Sequence, residues 1–257
     1  MTSQNHKLPL SVVIISHNAA GIIEPCLRSV AFADEIVVVD SGSMDGTIDI
    51  AQRCGARVIQ HDWCGFGPQK QFAVSQARHD WVLCLDTDER VSAELQESIR
   101  VALEKPMRKA YSMPRCNRFM GRWLKHGEGY PDESLRLFDR RHARWSDDLV
   151  HEKIVTVEIV ERLAGDLMHE SAEDIATYLN KQNRYTTTQA EILFGRGKRV
   201  SFFRIALSPM ARFIKFYIFK LGFLDGVPGL VHIAIGCFNS FIKYAKLREL
   251  QRQQETA

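Results

Sequence analysis

The chain has 257 residues, 45% of them hydrophobic and 25% charged, which is enough to enclose a globular core and too apolar for a disordered segment. Its six cysteines (Cys26, Cys54, Cys64, Cys84, Cys116 and Cys237) show no Cys-x-x-Cys spacing, which argues against a zinc site or a secreted disulfide framework and for reduced thiols in a cytoplasmic protein. The net charge of +3 is uneven: from Arg196 onward eleven Lys and Arg face three acids, a net +8 that leaves −5 for residues 1–195, so the last quarter suits an acidic partner, either an anionic membrane surface or nucleic acid.

Met1 to Leu8 is polar and leads straight into a strand-like run, so no export signal is expected. Ser11-Val-Val-Ile-Ile-Ser16 is short, continuous and β-branched, the pattern of a parallel strand buried on both faces. After the turn at His17-Asn18, a helix is expected from Ile22 to Val30, with Glu24 and Pro25 in its first turn. Glu35 to Val39 is the second strand, and the small residues of Asp40-Ser-Gly-Ser-Met-Asp45-Gly-Thr47 form its exit loop. A helix from Thr47 to Gly55 and a strand from Arg57 to Gln60 follow. Beyond Gly65-Phe-Gly-Pro68, a helix from about Gln69 to Ala77 leads to Trp81-Val-Leu-Cys-Leu-Asp86-Thr-Asp88-Glu89.

This last stretch is an apolar strand ending in carboxylates two residues apart, a place where a divalent cation could be held with positions left open for a diphosphate. Its plain alternative is a strand end ahead of a helix capped near Ser92. The repeated strand–helix alternation predicts an open α/β sheet with right-handed crossovers, in which ligands bind outside the carboxyl ends of the strands. His17, Asn18, Asp40, Ser41, Asp45, Asp86 and Asp88 all fall at those ends.

The motifs Ser-Val-Val-Ile-Ile-Ser-His-Asn, Glu-Ile-Val-Val-Val-Asp-Ser-Gly-Ser-Met-Asp-Gly-Thr and Leu-Asp-Thr-Asp-Glu resemble the three N-terminal motifs of glycosyltransferase family 2. These are inverting enzymes with the GT-A fold, a Rossmann-like, mostly parallel sheet flanked by helices. Pro131-Asp-Glu-Ser-Leu-Arg136-Leu-Phe, Val150-His151-Glu152 and the segment Gly222-Phe-Leu-Asp-Gly226 with Lys243-Tyr-Ala-Lys246 further resemble the branch of lipopolysaccharide inner-core β-1,4-glucosyltransferases. The resemblance spans about Leu10 to His169 for the fold. The domain is expected over residues 1–170, followed over 171–257 by a helical, basic and aromatic extension expected to bind a membrane surface.

By that resemblance Asp40 binds the nucleotide of a UDP-sugar, Asp45 supports the same loop, and Asp86 sits against the ribose or the metal. Asp88 would hold Mg²⁺ or Mn²⁺ on the diphosphate, with His169 either completing the shell or serving as a plain structural histidine. The general base falls within Asp147-Asp148-Leu-Val-His151-Glu152; Glu152 is preferred and Asp148 stays open, because geometry decides a base before pKa does. His151 would orient that base or touch phosphate. Lys70 reads equally as a cation near the phosphates and as an ordinary helix lysine. Arg136 and Trp123 belong to a run of arginines and aromatics, with Arg115, Arg118, Arg122, Lys125, Arg140 and Arg141, that reads equally as a lip for an anionic acceptor sugar and as a solvated surface with a few structural ion pairs.

Asp174 to Phe194 reads as a helix. Beyond it, bulky aromatics alternate with Lys and Arg, and Asp225, Pro228, His232 and Asn239 interrupt Leu221 to Ile242, so an interfacial rather than a spanning helix is expected. Phe238, Phe241, Ile242 and Ala245 would form its apolar face, with Lys243, Lys246 and Glu249 on another side. The expectation is a peripheral enzyme on the cytoplasmic face of the inner membrane, moving glucose from UDP-glucose onto a lipid-anchored glycan, a heptose. Transfer to polyprenyl phosphate or another glycan, a silent membrane-surface module and a homo-oligomer stay open; a nucleic-acid partner is disfavoured because the basic tail is aromatic and apolar.

Overall fold

The computed structural model describes residues 8–148, 152–170 and 174–256. The chain divides into two compact units, the first comprising residues 1–115 and 132–170, the second 116–131 and 171–257. The excursion 116–131 thus groups with the C-terminal helices, a division that a single boundary at 170 does not express.

In the first unit, β1 (Leu10–Ser16) leads through α1 (Ile23–Ser29) to β2 (Glu35–Asp40), and α2 (Thr47–Arg53) leads to β3 (Arg57–Gln60). Then come α3 (Phe66–Ser75), β4 (Trp81–Asp86), β5 (Glu89–Val91), α4 (Ala93–Glu104) and β6 (Ala110–Phe119), whose last residues carry the chain into the second unit. A short β7 (Arg122–Trp123) pairs with that end of β6. The first unit resumes with β8 (Asp132–Asp139), β9 (Ala143–Trp145), β10 (Ile154–Thr156), β11 (Val160–Arg162) and β12 (Leu167–His169). α3 begins at Phe66, a turn earlier than the sequence suggests, because Pro68 fits a first helical turn, where no partner for its missing N–H is needed.

The main sheet runs β3-β2-β1-β4-β8-β6-β12-β5, with β1 to β4 mutually parallel and β8 antiparallel to both β4 and β6. Alternate residues of each central strand supply two separate cores. Val12, Ile14, Val38, Leu83 and Leu85 pack with Ile23 and Leu27 of α1, Ala51 of α2 and Leu95, Ile99 and Leu103 of α4. Val13, Val37, Val39, Val82 and Cys84 pack with Ala73 and Val74 of α3, Phe138 and Trp145. A strand sealed on both faces needs apolar side chains at every position, which is why the sequence shows runs rather than alternation. The register places Ser16 beside Asp40, Ile15 beside Asp86 and Asp40 beside Gln60, so the polar strand ends share one edge.

The second unit contains α5 (Ile175–Gly195), α6 (Phe202–Phe213), a π-helical turn (Ile214–Phe219), a 3₁₀ turn (Gly222–Asp225) and α7 (Gly226–Thr256). Of the expected interruptions only that at Asp225 occurs, where the 3₁₀ turn ends; from Gly226 α7 runs unbroken through Pro228, His232 and Asn239 for 31 residues, about 46 Å at 1.5 Å per residue. Pro228 lies in its first turn, and Asp225 precedes it, buried and accepting hydrogen bonds from the backbone N–H groups of Lys125 and His126. The helical stretch from the 3₁₀ turn into α7, residues 222–254, is long and apolar enough, by length and composition alone, to cross a membrane.

The faces of α7 also differ from the expected ones. Lys246 does not stand on a solvent side; its Nζ donates to the Asn183 carbonyl and Oδ1 and to the hydroxyls of Thr186 and Thr187 on α5. Ile233, Ser240, Leu247 and Gln251 are buried, whereas Val227, Leu230, Phe238 and Phe241 are exposed. On the preceding helical segment Phe203, Leu207, Met210, Ile214 and Ile218 are exposed at spacings of three and four, a second outward apolar stripe.

Candidate active site

Asp40, at the end of β2, is fully buried. One carboxylate oxygen accepts from the backbone N–H of Gly42 (3.0 Å) and Ser43 (2.7 Å), the other from the hydroxyls of Ser16 (2.8 Å) and Ser43 (2.5 Å). Its oxygens are thus engaged in shaping the exit loop. Asp45, exposed on the same loop, accepts from Thr47 and from the Ala20 N–H, and these bonds, the Thr47 hydroxyl foremost, lower its pKa. Gly42 and Gly46 take φ of +86° and +85°, which the turn requires and a side chain would strain. Next to this loop the buried Gln69 donates to Ser41 Oγ (3.0 Å), and its Oε1 lies 3.0 Å from His61 Nδ1.

Along β4 a ladder of alternating charges is assembled. Glu152 Oε1 lies 2.8 Å from Lys70 Nζ, and Lys70 Nζ lies 2.9 Å from Asp86 Oδ1. Arg136 Nη2 lies 2.9 Å from Asp86 Oδ2 and 2.7 Å from Glu89 Oε1. Arg115 continues the ladder to Glu89 (3.6 Å) and Asp132 (2.6 Å). Burial would raise the pKa of Asp86, but Arg136 and Lys70 overcome it and hold that carboxyl well below the usual range. Burial disfavours the charge on Arg136, yet Glu89 and Asp86 more than restore it, so the guanidinium stays ionised. Under the ladder lies Trp145, whose ring centre is 4.8 Å from Lys70 Nζ and 5.8 Å from the Arg136 guanidinium. Its Nε1 donates to Cys84 Sγ (3.4 Å), a thiol that burial pushes up to about 12 and so keeps neutral.

Trp145 and Glu152 are brought here by the β9–β10 hairpin, in which Ser146 N–H donates to the Lys153 carbonyl (2.8 Å). The hairpin sits directly on the first turn of α3. Gly67 N–H donates to the Asp148 carbonyl (3.2 Å), and a Cβ at Gly67 would collide with the carbonyl oxygens of Ser146 and Asp148.

At the other side of the β4 end, Asp88 Oδ2 stands 3.2 Å from His169 Nε2. Two donors on one octahedral ion with bonds of about 2.1 Å lie about 3.0 Å apart, so this pair fits adjacent positions around Mn²⁺ or Mg²⁺. No group of three or more His, Cys, Asp or Glu converges among the described residues. Asp86 does not fit the metal role, because each of its oxygens is already held by a cation.

Several other expectations change. Lys70 is 6% exposed and lies between two carboxylates rather than open to phosphate. Arg136, also 6% exposed, is sealed inside the ladder and cannot serve as an acceptor-binding arginine. The arginine lip does not form in the first unit: Arg115 is bound to Asp132, Arg140 to the Ala77 carbonyl and Arg141 to Asp139. Trp123 belongs to the second unit, where the Arg118 guanidinium lies 5.8 Å from its ring. Asp148 is exposed, and Asp147 pairs with Arg144. His151 lies outside the described residues. Glu89, Gln69 and Trp145 were not singled out from the sequence; Glu89 adjoins the Asp-x-Asp pair, but only its burial reveals its part in the ladder.

Residues 11–163 match the family description "Glycosyl transferase family 2". A lipopolysaccharide core biosynthesis glycosyltransferase, LpsC of Rhizobium meliloti, is 30% identical over 254 residues, covering 94% of this chain and 92% of its own. An uncharacterized glycosyltransferase of Rickettsia typhi, RT0209, is 32% identical, covering 94% and 87%. Among solved structures, S. aureus TarS 1-349 in complex with UDP-GlcNAc superposes with a TM-score of 0.50 at 16% identity, over 96% of this chain and 92% of that one.

Proposed function

Because the chain belongs to glycosyl transferase family 2 and is a glycosyltransferase with a GT-A-like fold, we propose that it moves a hexose, glucose from UDP-glucose, onto a heptose of the lipopolysaccharide inner core. The observation that carries this reading is the Asp88–His169 pair at the carboxyl end of β4, with Glu152 held close to the same strand end. LpsC, matched along nearly its whole length, supports the acceptor class.

In this reading the donor lies over the ends of β1, β2 and β4, its nucleotide against the loop that Asp40 and Asp45 shape. Asp88 and His169 would hold a divalent cation, which would supply positive charge to the leaving diphosphate. Glu152 takes the proton from the acceptor hydroxyl as that oxygen bonds to the anomeric carbon; the bond to UDP breaks with its electron pair on the diphosphate, and the configuration inverts. Trp145 and the ladder keep the Glu152 side chain in place. The second unit attaches the enzyme to the anionic cytoplasmic leaflet through its outward Phe, Leu, Met and Ile stripes and its basic charge, where a lipid-anchored acceptor resides.

The test is UDP release by the full chain in mixed micelles, with UDP-glucose, other UDP-sugars, and heptose-terminated lipopolysaccharide as acceptor, with Mn²⁺ and with EDTA. Turnover that requires UDP-glucose, this acceptor and the metal supports the reading. Turnover with polyprenyl phosphate in place of lipopolysaccharide would replace the acceptor, and metal-independent turnover would remove the role given to Asp88.

A further inference from the structure

We propose that Lys70 is the positioning residue of the acceptor-side carboxylate: it clamps Glu152 to Asp86 on β4 and leaves the donor phosphates to other groups. The inference rests on the reading of Glu152 as general base. Lys70 reaches the ladder from the second turn of α3, 82 residues from Glu152 in sequence. Two of its three N–H donors have carboxylate partners at 2.8 and 2.9 Å, the Trp145 ring lies 4.8 Å away, and only 6% of the residue is exposed.

The two carboxylates do not depend on it equally. Asp86 keeps a second cation, Arg136, at 2.9 Å, and its backbone N–H is fixed by Glu89 at 3.0 Å. Glu152 has Lys70 as its one ion-pair partner among the described residues, through Oε1, with Oε2 unengaged there. Losing Lys70 would therefore release Glu152 while leaving Asp86 held. A swing of Lys70 toward a diphosphate would unpair Glu152 in a largely water-excluded place, which opposes a phosphate-binding role. The chemistry gains a base with one oxygen anchored and one able to receive the acceptor proton.

The experiment compares Lys70→Met, Lys70→Arg, Glu152→Gln and the double variant Lys70→Met/Glu152→Gln in the full chain. UDP binding with Mn²⁺ is measured by calorimetry, which also reports that each variant is folded, and kcat by UDP release from UDP-glucose with heptose-terminated lipopolysaccharide. For Lys70→Met we expect kcat to fall about 100-fold with the Kd for UDP changed less than about threefold, and Lys70→Arg to recover about a tenth of the wild-type rate. The double variant should be within about threefold of Glu152→Gln, since a residue acting through Glu152 has nothing further to lose. UDP affinity lowered more than about tenfold by Lys70→Met would make Lys70 a phosphate ligand and overturn the proposal, as would an unchanged kcat. Full turnover by Glu152→Gln would strike the base itself, whereas an inactive Glu152→Gln beside an active Lys70→Met would strike only the clamp.

Discussion

In the first unit Val12, Ile14, Val38 and Leu83 are sealed between strands and helices, and of the charges taken inside, Glu89, Asp139, Lys70 and Arg136 each have opposite charges beside them, while Asp40 is held by neutral N–H and hydroxyl donors. In the second, Phe202, Phe203, Leu207, Met210, Phe219 and Phe238 stand outside, while Asp225 and Ser240 are buried and Arg212 pairs with Glu128. The contrast teaches that the two units sort their apolar side chains differently. Water outside the first unit drives its apolar side chains inward; the second unit's outward stripes exceed what a water-facing surface ordinarily carries and suit contact with lipid.

The largest effect expected is at Asp88, the residue to which we assign the metal together with His169. Asp88→Ala should lower kcat/KM by about 10³ or more while its thermal unfolding stays near wild type, as read by UDP release and calorimetry. The two units should then answer the same truncation in opposite ways. Phe138→Ala, in the core of the first, should destabilise by about 3–5 kcal/mol in denaturant titration. Phe203→Ala with Leu207→Ala, on the outward stripe of α6, should change stability by less than about 0.5 kcal/mol each but reduce co-sedimentation with anionic vesicles. Loss of fold without loss of vesicle binding in the second pair would break the comparison.

Acid should act on the first unit through Asp86. Its carboxyl is held below the unfolded value of about 4, so its contribution to stability is complete above that pH and fades as pH falls toward the folded pKa. Asp86→Asn should lower Tm at pH 6 and flatten the decline of Tm between about pH 4 and 3. A wild-type slope in that variant would assign the acid sensitivity elsewhere.

The smallest effect compares two caps. Ser92 Oγ accepts from the N–H groups of both Leu95 (3.2 Å) and Asp166 (3.0 Å), so Ser92→Ala should cost about 1 kcal/mol or somewhat more. Ser201, capping α6 with a single 3.3 Å bond at an exposed position, should cost less by the same denaturant measurement.

Much of the first unit was legible because its signals are local. The β-branched runs at 11–16 and 35–39 and the polar residues that end them mark strands and the working edge of the sheet without reference to anything distant. Asp88 and His169, set in relation by family resemblance, do stand together. Arg136 and Lys70 were misread for one reason: an isolated Lys or Arg in sequence suggests an exposed cation, and its burial depends on carboxylates 50 and 82 residues away. In the second unit Asp225 and Pro228 look like breaks in an apolar segment. Their positions before and within the first turn of α7 make them its beginning instead.

Gly67 carries a consequence for how such an enzyme can change over generations. The helix that bears Lys70 and the hairpin that bears Glu152 meet there main chain against main chain, with no side chain between them. The gap between the two walls is then set by peptide geometry and cannot be widened or narrowed by exchanging one residue for a larger or smaller one at the contact. Variation that retunes the enzyme for a new sugar has to come from the surrounding loops, while Gly67 itself has no neutral neighbour in sequence space, since even alanine brings an atom into occupied space.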